Sequence, residues 1–406
     1  MITDDAVILG LLAATLGVVF WTSHSQRASL KKFYAIVPAL LLCYFVPALY
    51  NTFGLVDGGR SQLYTISSRY LLPATLVLMT VATDIPAVLR LGPKALVLFL
   101  TGTVSVIIGG PLAMSVVALA SPDVVSGEVW RGLTAIAGSW IGGGANQAAM
   151  KEVFQIPDDL FGMMVAVDVL VASIWMAVLL WIAANSRRLD AASGADTSAI
   201  TALREHVERF EREHARIPAL TDLMLILAVG FGLTGLSHAI GNPLAAWIAE
   251  VAPDLDRYSL TSSFFWIVVL ATTFGLAASF TPARQLETVG ASKVGQALLY
   301  LLIASIGMQM DIRAVFSDPG LFLVGFVWIG FHAVVMLAVA RAIRAPMFYL
   351  AVGSQANIGG AASAPVVASA FHPSLAPVGV LLAVLGYALG TYGGWLSGQM
   401  MRLLAP

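Results

Sequence analysis

The chain has 406 residues, 58% of them hydrophobic and 11% charged, with a net charge of −1 and a mean hydropathy of +0.85. Soluble domains carry roughly 25% charged residues, so this composition excludes an ordinary soluble globular protein, and its neutral balance gives no footprint for nucleic acid. The expectation is an all-α polytopic protein whose solvent is a lipid bilayer, that of a bacterial inner membrane.

In chain order, the first apolar segment, 6–23, follows the acidic start MITDD and ends without a small-residue cleavage site, so it reads as a retained transmembrane helix. Segments 34–52 and 67–83 come next. Cys43, the single cysteine, reads as a small buried hydrophobe with no internal disulfide. Segment 94–120 follows the run DIPAVLRLGPKAL, segment 133–153 contains GSWIGGGAN, and segment 160–184 carries Asp168 near its middle. Residues 185–218 are the one long polar stretch, with Arg187, Arg188, Arg204, Arg209, Arg212 and Arg216, and are expected in the cytoplasm. Within them Ile200, Leu203, Val207 and Phe210 form one apolar stripe on a charged helix, placed on the membrane surface, against the protein or at a homodimer contact. Segments 220–240, 262–280, 294–310, 320–340, 346–371 and 375–402 complete the chain; the fourth of these holds His332 and the fifth GSQANIGGA.

The two sets of six segments repeat. Asp84 in DIPAV matches Asp311 in DIRAV, each glycine-rich segment follows one helix later, and MVAVDVLVASIW then matches LLAVLGYALGTY. This gives residues 1–184 as a first transmembrane repeat, 185–218 as a cytoplasmic linker and 219–406 as a second repeat. If the glycine-rich segments cross the bilayer the repeats are parallel. If they re-enter, the repeats are inverted, each with about five transmembrane helices plus a broken or re-entrant element. The second arrangement is the one expected, although the distribution of Lys and Arg alone does not choose between them. Asp84 and Asp311, at helix ends beside prolines, read as caps or as groups orienting a neighbouring turn, with a functional role as the competing reading, and Lys151, Glu152 and Glu213 as interfacial or loop residues.

Gly142, Gly143, Gly144, Gly359 and Gly360 each weaken a helix by roughly 1 kcal/mol relative to alanine and let the backbone turn. A break at membrane depth frees N–H and C=O groups, tolerable only where protein or a wet cavity covers them. With the side chains of Ser139, Asn146, Gln147, Ser354, Gln355 and Asn357, those groups form a candidate site for an ion or a carboxylate. The competing reading is close helix packing on small residues. Asp168 costs about 2.5 to 3.5 kcal/mol in a transmembrane helix, which suits a group exchanging H+ for Na+, or one locked to Lys151 or an amide. His332 is either a proton relay or a satisfied structural histidine.

The runs SQANIGGAASAP, RAIRAPMFYLAVG and DIPAVLRLGPKAL resemble the YjcL-like family of bacterial and plastid membrane proteins, a domain of unknown function. That family is similar in turn to the superfamily of cation/proton antiporters and anion transporters, which implies inverted repeats with crossed, broken or re-entrant elements, and a carboxylate after the broken helix as cation or proton ligand. GGGAN and NIGGA stand where sodium/glutamate and sodium/citrate symporters carry their GG-type motifs.

There is no HExxH or GxSxG element, no Cys/His metal-ligand spacing and no Walker loop, so no enzyme, metal centre or nucleotide-driven pump is expected. The function expected is secondary active transport of a small organic anion or amino-acid-like solute, coupled to Na+ or H+, with a bound Na+ as the sole cofactor allowed. The alternatives are a cation/proton antiporter using Asp168 and a non-transporting scaffold or sensor. A wet polar centre around Asn146 and Asn357 speaks for transport, and a dry, packed one for the scaffold.

Overall fold

The computed structural model describes residues 1–195, 218–313 and 318–405, among which every regular element is helical. The apolar stripe from Ile200 to Phe210 and Glu213 lie outside the described residues. Helix α1 (Asp5–Ser23) starts where Asp4 Oδ1 accepts the N–H groups of Ala6 and Val7. It is followed by α2 (Ala28–Ile36) and α3 (Ala39–Thr52), which share the expected segment 34–52 between them. Helix α4 (Leu63–Ile66) runs through one π turn (Ser67–Leu71) into α5 (Leu72–Val81). After α6 (Ile85–Arg90) come α7 (Pro93–Ala120), α8 (Val129–Val153), α9 (Asp158–Ala184) and α10 (Ser186–Ser193). The second half has α11 (Leu220–Val251), α12 (Ser263–Ala278), α13 (Ala291–Gly307), α14 (Gly320–Ala342), α15 (Met347–Ile358), α16 (Gly360–Phe371) and α17 (Ala376–Leu404).

Six of these, α1, α7, α9, α11, α14 and α17, are long and apolar enough to cross a membrane, or up to eight elements if each bent pair is one span. Their outer faces expose Val18, Val104, Trp181, Leu225, Trp247 and Val334, which only lipid can cover at low cost. Asp84 caps α6, its Oδ1 accepting the Ala87 N–H and pairing with Arg284 at 3.1 Å, whereas Asp311 Oδ1 accepts the Arg313 N–H at 2.9 Å and the Thr52 hydroxyl at 3.2 Å and orients the turn beside it. Cys43 is buried and free.

Both glycine-rich elements fold back on themselves. In α8, Gly142 (φ −141°, ψ 19°) and Gly143 (φ 71°, ψ −174°) leave the helical region, and the two arms turn antiparallel. The rings of Trp130 and Phe154, at the two ends of α8, meet edge to face at 5.9 Å, whereas a straight helix would hold them roughly 36 Å apart. Likewise Phe348 on α15 meets Phe371 on α16 at 5.4 Å, with Gly359 and Gly360 at the turn. Each element is therefore a hairpin, with an aromatic pair closing its mouth and glycines at its tip. Neither element runs on as one straight helix.

Helix α17 positions the hairpins. Towards its C-terminal end Gly398 faces Phe154 and Thr134 of the first hairpin, then Gly394 faces Gly138 and Met150, Gly390 faces Asn146 and Gly142, and Gly386 faces the Ile141 carbonyl. Near its N-terminal end Gly379 faces Ala364 and Pro365 of the second hairpin. Glycines at these positions let the hairpin backbones lie directly on α17. The two mouths consequently sit at opposite ends of this helix, which is roughly 43 Å long. Two large apolar clusters flank the arrangement. One gathers α7, α9, α14 and the second hairpin, the other α1, α3, α5, α13 and the second arm of the first hairpin.

Candidate functional site

The tips of the two hairpins meet at Tyr387, in the middle of α17. Gly143 and Gly360 have φ of 71° and 58°, the left-handed region that glycine adopts without strain. A Cβ on Gly143 would lie 3.1 Å from the Tyr387 ring; one on Gly360 would lie 3.7 Å from Gly143 Cα and 3.7 Å from the Tyr387 hydroxyl. That hydroxyl accepts the Ala361 N–H at 3.3 Å, from the first turn of α16. Close approach also requires Gly142, whose Cβ would stand 2.7 Å from the Gly386 carbonyl oxygen, and Gly359, whose Cβ would overlap Ser363 Oγ and Gln355 Nε2. Gly144 differs, because a Cβ there meets only Leu299 and Ile303 side chains at 3.8 Å or more.

Asn146 and Asn357 hold the hairpins to their neighbours. Asn146 Nδ2 donates to the carbonyls of Gly142 (2.9 Å) and Tyr387 (3.1 Å), and its Oδ1 accepts the Thr391 hydroxyl at 2.7 Å. Asn357 Nδ2 donates to Gly353 (2.9 Å) and to Phe99 of α7 (3.0 Å), and its Oδ1 accepts the Thr103 hydroxyl at 2.8 Å. Both amides are fully buried and use protein groups on both their nitrogen and oxygen. Gln355 behaves otherwise. It is 2% exposed, its Nε2 donates to Ser363 Oγ across the second hairpin at 2.7 Å, and its Oε1 is buried with no hydrogen-bond partner. A buried acceptor left unmade costs about 1–3 kcal/mol, which marks the place where a donor from outside the protein would gain most.

Asp168 closes the first hairpin. Ser139 Oγ and Gln147 Nε2 donate to its Oδ2 at 2.6 and 2.7 Å, and Trp140 Nε1 donates to its Oδ1 at 2.6 Å. Ser139 and Trp140 lie on the first arm and Gln147 on the second, so one carboxylate bridges the glycine turn. Tyr44 of α3 in turn donates to Gln147 Oε1 at 3.3 Å. The donors are neutral. Lys151, the cation considered as a partner, pairs instead with Asp158 at 2.8 Å and donates to the Tyr64 hydroxyl at 2.7 Å. The reason is positional: Asp158 opens α9 just beyond the end of the arm, whereas Asp168 is ten residues, roughly 15 Å, further along. Lys151 is also buried, 5% exposed, with its ammonium over the rings of Tyr64 and Phe161.

His332 is buried in a directed chain. The Trp175 Nε1–H donates to Ser354 Oγ at 2.8 Å, and Ser354 Oγ lies 2.7 Å from His332 Nε2. His332 Nδ1 lies 2.7 Å from Ser105 Oγ, whose own proton goes to the Gly102 carbonyl at 2.7 Å. With the Ser105 hydrogen on that carbonyl, the arrangement that pairs every group has Nδ1 donating to Ser105 and Ser354 donating to Nε2. The chain ties α9, α15, α14 and α7 together. At the mouth of the second hairpin, Asp190 of α10 accepts the Met347 N–H at 2.8 Å, and burial pushes its carboxyl above the ordinary range.

Of the residues singled out from the sequence, the fold brings Gly142, Gly143, Asn146, Gly359 and Gly360 to one locus around Tyr387. It places Gln147 with Asp168, and Ser354 with His332. The partners that complete these clusters, Trp140, Tyr387, Thr391, Thr103, Ser105 and Trp175, escaped the sequence reading. A signal existed for two of them: Tyr387 and Thr391 lie on a helix whose glycines recur every fourth residue, from Gly386 to Gly398, a pattern that marks close backbone contact.

Residues 10–404 match the family model described as "Protein of unknown function (DUF819)". The chain is also 22% identical over 358 residues to the "Uncharacterized membrane protein YjcL" of Bacillus subtilis (strain 168), covering 84% of each chain.

Proposed function

Since the chain belongs to the DUF819 family and is an integral membrane protein, we propose from its geometry that it is an ion-coupled secondary transporter built from two inverted repeats, akin to the cation/proton antiporter and anion transporter superfamily. One observation carries this reading: two hairpins approaching from opposite ends of α17 touch the same tyrosine with their glycine tips. Backbone turns at membrane depth are expensive, and two that converge define a mid-membrane locus reachable from either face.

In this reading the asparagines, already saturated, hold the hairpins. Solute contacts fall to Gln355 Oε1, the Tyr387 hydroxyl and the backbone at Gly359–Gly360. Asp168 carries the coupling ion. Its carboxyl oxygens take hydrogen bonds from both arms, and binding of a proton or a cation there loosens the link between them. Purified protein is to be screened for thermal stabilisation by carboxylates, amino acids and short peptides, with and without Na+. A specific ligand at a hundred times its Kd stabilises by about 2.7 kcal/mol.

A second reading has its own support. The dry packing of Asn146 and Asn357 is the expectation for a scaffold or sensor. Absence of any solute- or ion-dependent stabilisation, together with intact folding of variants at the hairpin tips, would select it.

A further inference from the structure

We propose that the mouth of the first hairpin is a binding site for the carboxylate group of a small solute. A cleft of about 230 Å³ opens there, lined by Trp130, Arg131, Phe154, Asp256, Arg257 and Arg402. It is smaller than the roughly 300 Å³ at which drug-sized ligand sites begin, which restricts it to compact molecules.

Its charge is unbalanced. Arg131 pairs with Glu128 at 3.4 Å and stands over Trp130, its guanidinium carbon 5.6 Å from the ring. Arg257 and Arg402 both stand over the ring of Tyr258, at 4.7 and 5.0 Å, and neither is in an ion pair among the described residues. Two like charges held at one ring repel each other, and a counter-charge relieves that. The cleft's own acid, Asp256, accepts the Thr261 hydroxyl and makes no ion pair among the described residues, so the lining holds three arginines to one aspartate. Arg402 Nε is moreover buried with no hydrogen-bond partner. Buried N–H groups in native proteins are rarely left unpaired, so this one points to a group the protein does not itself supply.

A guanidinium stacked on an aromatic face keeps its N–H edge free, and that edge matches the two oxygens of a carboxylate. The cleft also contains two of the three non-glycine residues with left-handed backbone among the described residues, Gln155 (φ 50°) and Ser259 (φ 62°). From it α17 leads directly inward, from Arg402 to Tyr387. The site deepens the transport reading by naming a substrate class, and it rests on that reading only for the steps after binding.

The test is the thermal stability of the full chain in detergent, titrated with succinate, glutamate and acetate, and separately in nanodiscs with and without phosphatidylglycerol. Saturable stabilisation by at least one carboxylate is expected, with affinity about tenfold weaker in Arg257→Gln and Arg402→Gln, as the loss of one charge-assisted contact implies. Should Arg402→Gln fail to fold, the exposed Arg257 decides. No saturable effect from any of the three carboxylates overturns the proposal. So does equal affinity in a folded Arg257→Gln protein, or stabilisation by phosphatidylglycerol alone, which assigns the cleft to a lipid headgroup. Carboxylate binding in a protein that moves no solute upholds this site and removes the transport reading.

Discussion

Replacing Asp168 by asparagine separates a coupling role from a structural one, and the geometry sets the size of each effect. The indole of Trp140 can only donate, so the oxygen of the new amide must stay on Trp140 and its NH2 must face Ser139 and Gln147. The Ser139 hydroxyl can rotate to accept. Gln147 must turn its amide over, so that its Nε2 donates to the Tyr44 hydroxyl in place of the present 3.3 Å contact, the weakest in the cluster. Charge-assisted bonds at about 1.5–3 kcal/mol each become neutral ones at about 0.5–1.5, a loss of roughly 3–4.5 kcal/mol over the three. Against this, an anion no longer has to be buried, a relief of several kcal/mol. The two nearly cancel, so Asp168→Asn should fold, with a melting temperature within a few degrees of wild type. In proteoliposomes loaded with a pH- or Na+-sensitive dye, the variant should retain solute binding and lose gradient-driven accumulation. Accumulation with unchanged ion dependence would falsify the coupling role. A large loss of folded protein would show instead that the carboxylate is a structural clamp.

Gly390→Ala puts a Cβ 2.6 Å from Asn146 Nδ2 and 2.7 Å from Gly142 Cα, and should cost about 1–3 kcal/mol in thermal unfolding, whereas Gly144→Ala, with only ordinary contacts, should be neutral or slightly stabilising. Asp190 has a folded pKa above its unfolded one, so its contribution favours the folded state at low pH and is lost as pH rises through the folded value; Asp190→Asn, which still accepts the Met347 N–H, should flatten that dependence in melting temperatures taken across the acidic and neutral range, and an unchanged slope refutes the assignment. Leucine at Gly143 should impair folding as well as transport, because the Tyr387 ring lies 3.1 Å from the first side-chain carbon and φ is 71°, while leucine at Gly360, with 3.7 Å of room, should be the milder in expression and melting assays. Buried Cys43 leaves the wild type silent to membrane-impermeant thiol reagents, so Ala192→Cys and Ala405→Cys report topology cleanly, and labelling of both from one side would remove the inverted arrangement.

Hydrophobic runs located most helices within a few residues, since length and apolarity are local properties. The glycine breaks were legible for the same reason: consecutive glycines predict where a backbone can turn. What they do not predict is how far it turns, because the fold-back is fixed by rings more than twenty residues apart, Trp130 with Phe154 and Phe348 with Phe371. Asp168 stood out by its cost in the bilayer, but its three donors come from both arms of a hairpin whose closure the sequence does not state. The burial of Lys151 is hidden on similar grounds. Hydropathy sees an ammonium near a helix end, and not the rings of Tyr64 and Phe161 that other elements bring beneath it. The π turn at Ser67–Leu71 has no signature in residue spacing at all.

The single ring of Tyr387 couples the two hairpins sterically. It has one position at a time, set by two rotatable bonds, and both glycine tips lie close to it. A substitution that turns this ring therefore reaches both hairpins at once: bulk added at Gly143 is passed through one side chain to the Gly360 turn on its other side.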